Sequence, residues 1–438
     1  MLEKLFGLRA HGTSVRTEVL AGVTTFLTMA YIIVVNPAIL SEAGLPIAGV
    51  AAATCLSAGI GCLLMGLLAN YPLALAPGMG LNAYFTYTVV KGLGVPWEAA
   101  LACVFLSGVA FLLLTFVGVR QLIVRSIPRP LLAATAAGIG LFIAFVGLKN
   151  AGIVVGDAAT TVALGDLKSP TALLALFGVV LIAVLQARRV KGAMLIGILA
   201  LTAIGAMLGL SKWSGWTFGP AALMDVAFKL DIGEAMNLGG AFGVALAEIV
   251  FVFLFVDLFD NVGTLAAVTK RAGLQGPNGE IPRLNRILYA DSIAAMVGAV
   301  AGTTTVTSYI ESASGVAVGG RTGLTAVVTG LLFLAALLIA PLAGLVPAAA
   351  TAPALILVGS MMVGALGEVA WDDPFDAVPA FLTLVMIPLT FSIANGLAFG
   401  ITVHALLKLL GGRATRNDAM LMLLAALFVV RFAYLAAA

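Results

Sequence analysis

The sequence predicts an all-α polytopic membrane protein, with about fourteen transmembrane segments in two inverted repeats of seven. Three observations predict it. Of the 438 residues, 62% are hydrophobic and 10% are charged. A soluble domain must wet its outer face and has no room for that much apolar surface, so the bulk solvent is lipid. Apolar segments near the ~20 residues needed to cross a bilayer recur from Glu18 almost to the C-terminus. Finally, Lys and Arg cluster in alternate loops, as membrane insertion requires.

The candidate helices run over about 17–40, 49–69, 78–90, 98–118, 130–148, 170–187, 192–210, 241–269, 287–302, 309–319, 323–346, 352–367, 378–393 and 396–411. A further apolar stretch, 418–436, contains Arg431 and either spans the membrane or lies along its interface. Met1 to Arg16 carry no apolar core, so no cleavable leader is expected. The basic clusters are Lys4, Arg9 and Arg16; Arg120, Arg125 and Arg129; Arg188, Arg189 and Lys191; Lys270, Arg271, Arg283 and Arg286; and Lys408, Arg413 and Arg416. An even number of helices separates each cluster from the next. The N-terminus and these loops are therefore expected in the cytoplasm, with the protein in the cytoplasmic membrane. The acidic loop at Glu368, Asp372, Asp373 and Asp376 falls on the same side. Cys55, Cys62 and Cys103 all sit in apolar segments, without CxxC or a disulfide framework, and are expected to be packing residues.

The two halves resemble each other. A small-residue helix, an irregular stretch and a short helix follow one another at 49–90 and again at 287–319; proline opens spans at Pro128 and Pro353. An odd number of spans per half inserts the halves with opposite topology, and such repeats place a ligand at the midplane between broken helices. The short helices at 78–90 and 309–319 are the expected pair. The irregular stretches before them, 70–77 and 303–307, survive at membrane depth only where protein buries them or a cavity lines them.

Ionisable residues inside spans are costly and point to function. Asp257 and Asp260 share one helix face in Val256–Thr264, and Glu311 lies in Thr307–Gly315. No Lys or Arg lies in those spans before Lys270 and Arg321 at their ends. An ionised carboxylate only accepts hydrogen bonds, which suits a neutral ligand rich in N–H donors, such as a purine base. A carboxyl in a low dielectric also holds a proton more readily than in water, which suits cation coupling. The structural alternative is that the acids bond neighbouring Thr and Ser and tie helices together. Glu248, a turn or more earlier, ranks below these three, and Asp291 is expected to cap its helix or pair with Arg286.

Pro77–Phe85 supplies two glycines for close backbone approach and, in Asn82, a combined donor and acceptor for a mixed base edge. Tyr84, Phe85, Phe26 and Phe259 are candidates to stack on a planar base, or are core. Thr24, Thr25 and Thr28 either line the site or bond back to their own helix. Neither His11 nor His404 is given a role.

On these residues the chain resembles the nucleobase–cation symporter-2 family, in its azaguanine-like branch of hypoxanthine, guanine and adenine permeases. The resembling segments are Thr24–Pro37, Ala76–Phe85, Phe255–Thr264 and Glu311–Gly323, in the family's order. Asn261, commonly Thr in that branch, is a minor departure. The resemblance implies a cytoplasmic N-terminus (1–16), a core domain from 17–118 and 236–346 (spans 1–4 and 8–11), and a gate domain from 119–235 and 347–438 (spans 5–7 and 12–14). It also implies short strands before the half-helices of spans 3 and 10, and a homodimer in the bilayer. Function is expected to be proton-coupled uptake of purine nucleobases by alternating access, with no enzymatic activity. Neither a cofactor or metal nor a nucleic-acid partner is expected. Glu311, Asp260, Asn82, Gly80, Thr25, Thr28, Phe259 and Ser312 are expected to bind the base, and Asp257, Asp260 and Glu311 to handle the proton.

A uracil or xanthine permease, or an anion transporter of the same fold, is the alternative. An anion site would use helix N-termini and a basic residue, against three acids and no base here. A channel would need a continuous polar pore. An intramembrane enzyme would need a Ser/His pair, HExxH or a metal-ligand set, and the sequence offers none of these.

Overall fold

The computed structural model describes residues 2–117, 128–211, 219–238, 244–276, 280–415 and 418–437. Arg120, Arg125 and Arg416 of the basic clusters lie outside the described residues, as do the side chains of Phe259 and Arg431. Among the described residues, nine helices are long and apolar enough to cross a membrane, and four shorter apolar helices accompany them.

The chain forms two compact units, Met1–Phe116 with Lys149–Ala354, and Val117–Leu148 with Leu355–Ala438. The first begins with α1 (Val15–Met29), α2 (Ile32–Ser41) and α3 (Ile47–Leu64), the last ending in a π turn to Ala69. A strand, β1 (Leu75–Pro77), leads into the short α4 (Met79–Ala83), which continues through a π turn to Val90. Next come α5 (Trp97–Val117) and, shared with the second unit, α6 (Arg129–Asn150). An exposed hairpin, β2 (Val154–Asp157) with β3 (Thr161–Leu164), precedes α7 (Pro170–Ala187) and α8 (Ala193–Met207). The unit closes with α9 (Val244–Ala272), α10 (Leu284–Ala301), β4 (Val306–Ser308), α11 (Ser312–Val318) and α12 (Gly323–Ala336).

The first span, expected as one helix, is broken at Ala30–Tyr31. Pro37 removes the N–H that the Ile33 carbonyl would take. One turn earlier, both Val34 N–H and Val35 N–H reach the Tyr31 carbonyl, at 3.1 and 3.0 Å. The hairpin at 154–164 was not anticipated, because its alternation lasts only four residues per strand. Asp291, expected near a helix start, is an interior residue, since α10 begins earlier, at Leu284.

Both irregular stretches resolve into the strand and half-helix arrangement. β1 and β4 pair antiparallel, with Leu75 opposite Ser308, Ala76 opposite Thr307 and Pro77 opposite Val306. Around this pair, helices approach through residues too small to hold them apart. α12 lies against α3 at Gly59 and Gly330: a Cβ on Gly330 would sit 2.8 Å from the Gly59 carbonyl oxygen and 3.0 Å from Cys62 Cβ. It lies against α1 at Gly22, where a Cβ would sit 2.7 Å from the Thr325 carbonyl oxygen. Lipid offers no hydrophobic drive for helix association, so such close contact is the main attraction available.

The second unit contains α13 (Ala348–Val363, from Leu355 on), α14 (Pro374–Thr390), α15 (Ile393–Leu410) and α16 (Ala419–Ala437). A Cβ on Gly140 of α6 would lie 2.7 Å from the Gly359 carbonyl oxygen of α13, so these helices too meet backbone to backbone. Arg413 pairs with Asp373 at 2.8 Å and lies 3.9 Å over the Phe375 ring. A backbone N–H from Phe375, and then that pairing, hold the Asp373 carboxyl below its ordinary range.

Gly330→Leu should force α3 and α12 apart. The expected cost is about 1–3 kcal/mol, read as a lower melting temperature of the purified protein in detergent. Gly364→Ala is the control, because a Cβ there meets nothing within 4 Å.

Candidate binding site

The paired strands bring the sequence's scattered candidates together. α9, carrying Asp257 and Asp260, packs against β4, α4 and α11. A Cβ on Gly78 would lie 3.7 Å from Asp260 Oδ2 and 3.0 Å from Thr307 Cγ2, so glycine here leaves space for the carboxylate at the mouth of α4. Glu311 occupies the position just before α11. The charges of Asp260, Glu311 and Asp291 are close enough to interact. Asp257 is buried, one turn before Asp260 on the same helix. Asp260, Glu311 and Asp291 therefore lie together beside the paired strands, with Asp257 one turn away on α9.

Hydrogen bonds then sort the remaining candidates. Asn82 is fully buried, and both ends of its amide are occupied. Its Nδ2 donates to Asn36 Oδ1 at 2.6 Å, and Thr304 Oγ1 donates to its Oδ1. Asn36 Nδ2 in turn donates to Thr54 Oγ1 at 2.7 Å and Thr303 Oγ1 at 2.8 Å. This buried network ties α2, α3, α4 and the approach to β4 to one another. Ser312 Oγ, likewise buried, accepts the Ala74 N–H at 2.9 Å, just ahead of β1. Thr24 and Thr28 bond back to their own helix, at 2.8 Å to the Leu20 carbonyl and 2.8 Å to the Thr25 carbonyl. Thr25 is buried against α11, where a Cβ on Gly315 would collide with its hydroxyl. Gly80 is the second residue of α4, and Phe259 contributes backbone to α9, its side chain lying outside the described residues.

Two residues with prominent roles drew no attention in the sequence. Glu18, fully buried near the start of α1, accepts four hydrogen bonds. Its Oε1 takes Arg321 N–H at 2.8 Å, and its Oε2 takes Thr322 N–H at 3.3 Å, Thr325 N–H at 3.2 Å and Thr325 Oγ1 at 2.6 Å. It caps α12, whose first N–H groups have no partners within the helix. Tyr31, at the break in the first span, donates its hydroxyl to Glu311 Oε1 at 2.7 Å. An acidic residue at a span boundary is the one sequence signal of Glu18; its partners lie some 300 residues away in sequence.

A family model for xanthine and uracil permeases, described as "Permease family", matches residues 16–399. The chain belongs to this permease family, the nucleobase–cation symporter-2 family. It is 46% identical over 435 residues to the adenine permease AdeP of Escherichia coli K12, covering 99% of this chain and 96% of that protein. It is 44% identical over 434 residues to the guanine/hypoxanthine permease PbuG of Bacillus subtilis 168, covering 97% and 98%. Among solved structures, the transmembrane domain of the cyanobacterial bicarbonate transporter BicA superposes with a TM-score of 0.65 at 17% identity, over 87% of this permease and 97% of that chain. The murine anion transporter Slc26a9, inward-facing, also gives 0.65, at 12% identity, over 90% and 68%. At those identities the likeness is one of fold. The permease is thus a multi-pass membrane transporter with the fold of those anion carriers.

Removing the Glu18 carboxylate should leave the Arg321 and Thr322 N–H groups unpaired and the Thr325 N–H with the Thr322 carbonyl alone. Glu18→Ala is expected to cost about 1–3 kcal/mol, with a matching fall in melting temperature. Asn82→Ala strands Asn36 Oδ1 and the Thr304 hydroxyl together and should cost about as much. A melting temperature within a degree of the parent for Asn82→Ala would contradict a structural role for that network.

Proposed function

We propose that this permease takes up purine nucleobases (adenine, guanine and hypoxanthine) across the cytoplasmic membrane, coupled to protons, by alternating access. The carrying observation is kinship over almost the whole chain with adenine and guanine/hypoxanthine permeases, at 40–46% identity. The proximity of Asp260 and Glu311 beside the paired strands, with Asp257 one turn away on α9, supports it chemically. A purine offers ring and exocyclic N–H donors, and carboxylates accept them without needing a counter-charge from the ligand.

In this reading Glu311 and Asp260, the acids at the mouths of the two half-helices, receive the base. Asp257, one turn deeper along α9, holds the proton. Gly80 gives the base close backbone approach, and Thr25 flanks it. Asn82, Ser312 and Thr28 hold the surrounding backbone, since their side-chain polar atoms already have partners in the fold. The N-terminus faces the cytoplasm, in keeping with the basic clusters. A core domain carrying the site moves against a gate domain, in a homodimer.

Cells lacking their own purine transport and expressing this chain should take up radiolabelled adenine or hypoxanthine saturably, and a protonophore should collapse that uptake. Excess guanine should compete and excess uracil should not. Sodium replacement with no protonophore effect would assign a different cation.

Glu311→Gln keeps the side chain's shape but turns one acceptor oxygen into a donor amide. It should abolish uptake with protein level near the parent's; uptake at the parent rate would remove Glu311 from the site.

A further inference from the structure

Tyr31 lies where the first span breaks between α1 and α2, and only 1% of its surface is exposed. A buried phenol needs a hydrogen-bond partner. Its hydroxyl donates to Glu311 Oε1 at 2.7 Å, across 280 positions of sequence. Tyr309, two residues before Glu311, is also buried nearby, but its hydroxyl donates to the Pro77 carbonyl of β1. It therefore anchors the strand pair and leaves Glu311 to Tyr31.

The consequence is geometric. A glutamate side chain has three rotatable bonds, and a carboxylate free to swing must be immobilised each time it binds a ligand. A donor fixed on one oxygen removes that freedom in advance and leaves the other oxygen to face incoming N–H groups. It also takes one of the acceptor positions that the carboxylate would otherwise offer. We propose that Tyr31 is a positioning residue for nucleobase recognition: by holding Oε1 of Glu311, it presents Oε2 to an N–H of the bound base. This rests on the reading of Glu311 as a base-binding residue, and the test separates the two.

Saturable uptake of labelled adenine should be measured for the parent, Tyr31→Phe and Tyr31→His, with protein level and melting temperature followed alongside. Adenine binding to the purified protein should be measured by calorimetry for the parent, Tyr31→Phe, Glu311→Gln and the Tyr31→Phe/Glu311→Gln pair. Loss of one hydrogen bond to a charged group is expected to raise KM roughly tenfold in Tyr31→Phe. Vmax should stay within about twofold, the signature of lost binding alone. Tyr31→His, which keeps a ring N–H donor at shorter reach, should fall between the parent and Tyr31→Phe. In the Glu311→Gln background, Tyr31→Phe should weaken binding no further.

A Tyr31→Phe protein with parental KM, alongside a Glu311→Gln protein that no longer binds, overturns the Tyr31 proposal and leaves the Glu311 reading standing. Parental binding in Glu311→Gln overturns both. If Tyr31→Phe and Tyr31→His both lower protein level or melting temperature without a selective rise in KM, Tyr31 is a folding residue and the proposal fails.

Discussion

Non-helical backbone placed at membrane depth must have every N–H and C=O satisfied by protein, because lipid satisfies none. The structure depends on how it meets that constraint at two places. β1 and β4 pair with each other, and the pairing extends beyond both ends: Gly78 N–H to the Thr305 carbonyl and Tyr309 N–H to the Ala74 carbonyl, each at 2.9 Å. What the ladder leaves over is taken by side chains. Ser312 accepts the Ala74 N–H, and Tyr309 donates to the Pro77 carbonyl. The Cys62 thiol serves Leu75 twice, accepting its N–H at 3.2 Å and donating to its carbonyl at 3.3 Å. A buried cysteine in an apolar helix reads as a small hydrophobe; here it stands in for a third strand. With the backbone so fully engaged, the half-helices start from a fixed base, and residues at their mouths inherit that rigidity.

The same accounting separates acids that build the fold from acids that serve it. Glu18 and Glu311 both sit in the first unit, and both are joined to partners hundreds of residues distant. Glu18 accepts four hydrogen bonds, close to the full capacity of a carboxylate, three of them from backbone N–H groups at a helix start. Its charge is spent on the α12 cap. Glu311 receives the Tyr31 hydroxyl on one oxygen, beside Asp260, a second acid rather than a cation. Two carboxyl groups side by side at such depth are unfavourable for a fold that needs nothing else from them. In the proposed reading, a ligand bearing N–H donors, a proton, or both in turn relieves that tension.

Much of this was legible in the sequence, and what was not has a common cause. The spans at 170–187 and 396–411 fell within three residues of the observed helices, because apolar length is a local property. The half-helices were legible for the same reason: Pro and Gly at 70–78 and the threonine run at 303–307 interrupt helix locally. Asp257, Asp260 and Glu311 stood out because a charge in an apolar run is conspicuous without a partner. Asn82 was legible as a polar residue but not as a network member, since Asn36 and Thr304 lie 46 and 222 positions away. Ser312 and Tyr31 share that difficulty. Sequence pattern located the polar groups; only the pairing of distant strands decided which had partners.

That division also explains how one fold carries unlike cargo. At 12–17% identity, few side chains are shared with the bicarbonate and anion carriers, yet the chain path superposes over most of its length. The constraint on the paired strands falls on backbone groups, and many side chains can meet it: a serine at the first turn, a thiol beside an edge, a tyrosine across the crossing. The positions facing the gap between the half-helices are free of that duty. A basic residue there suits an anion, and carboxylates suit a ligand of N–H donors. In this chain the acids lie at those mouths, while the residues with every polar atom engaged, Asn82 and Ser312 among them, stand behind as the frame. Side chains at the mouths can therefore differ between chains of this fold, provided the hydrogen bonds behind them are left intact.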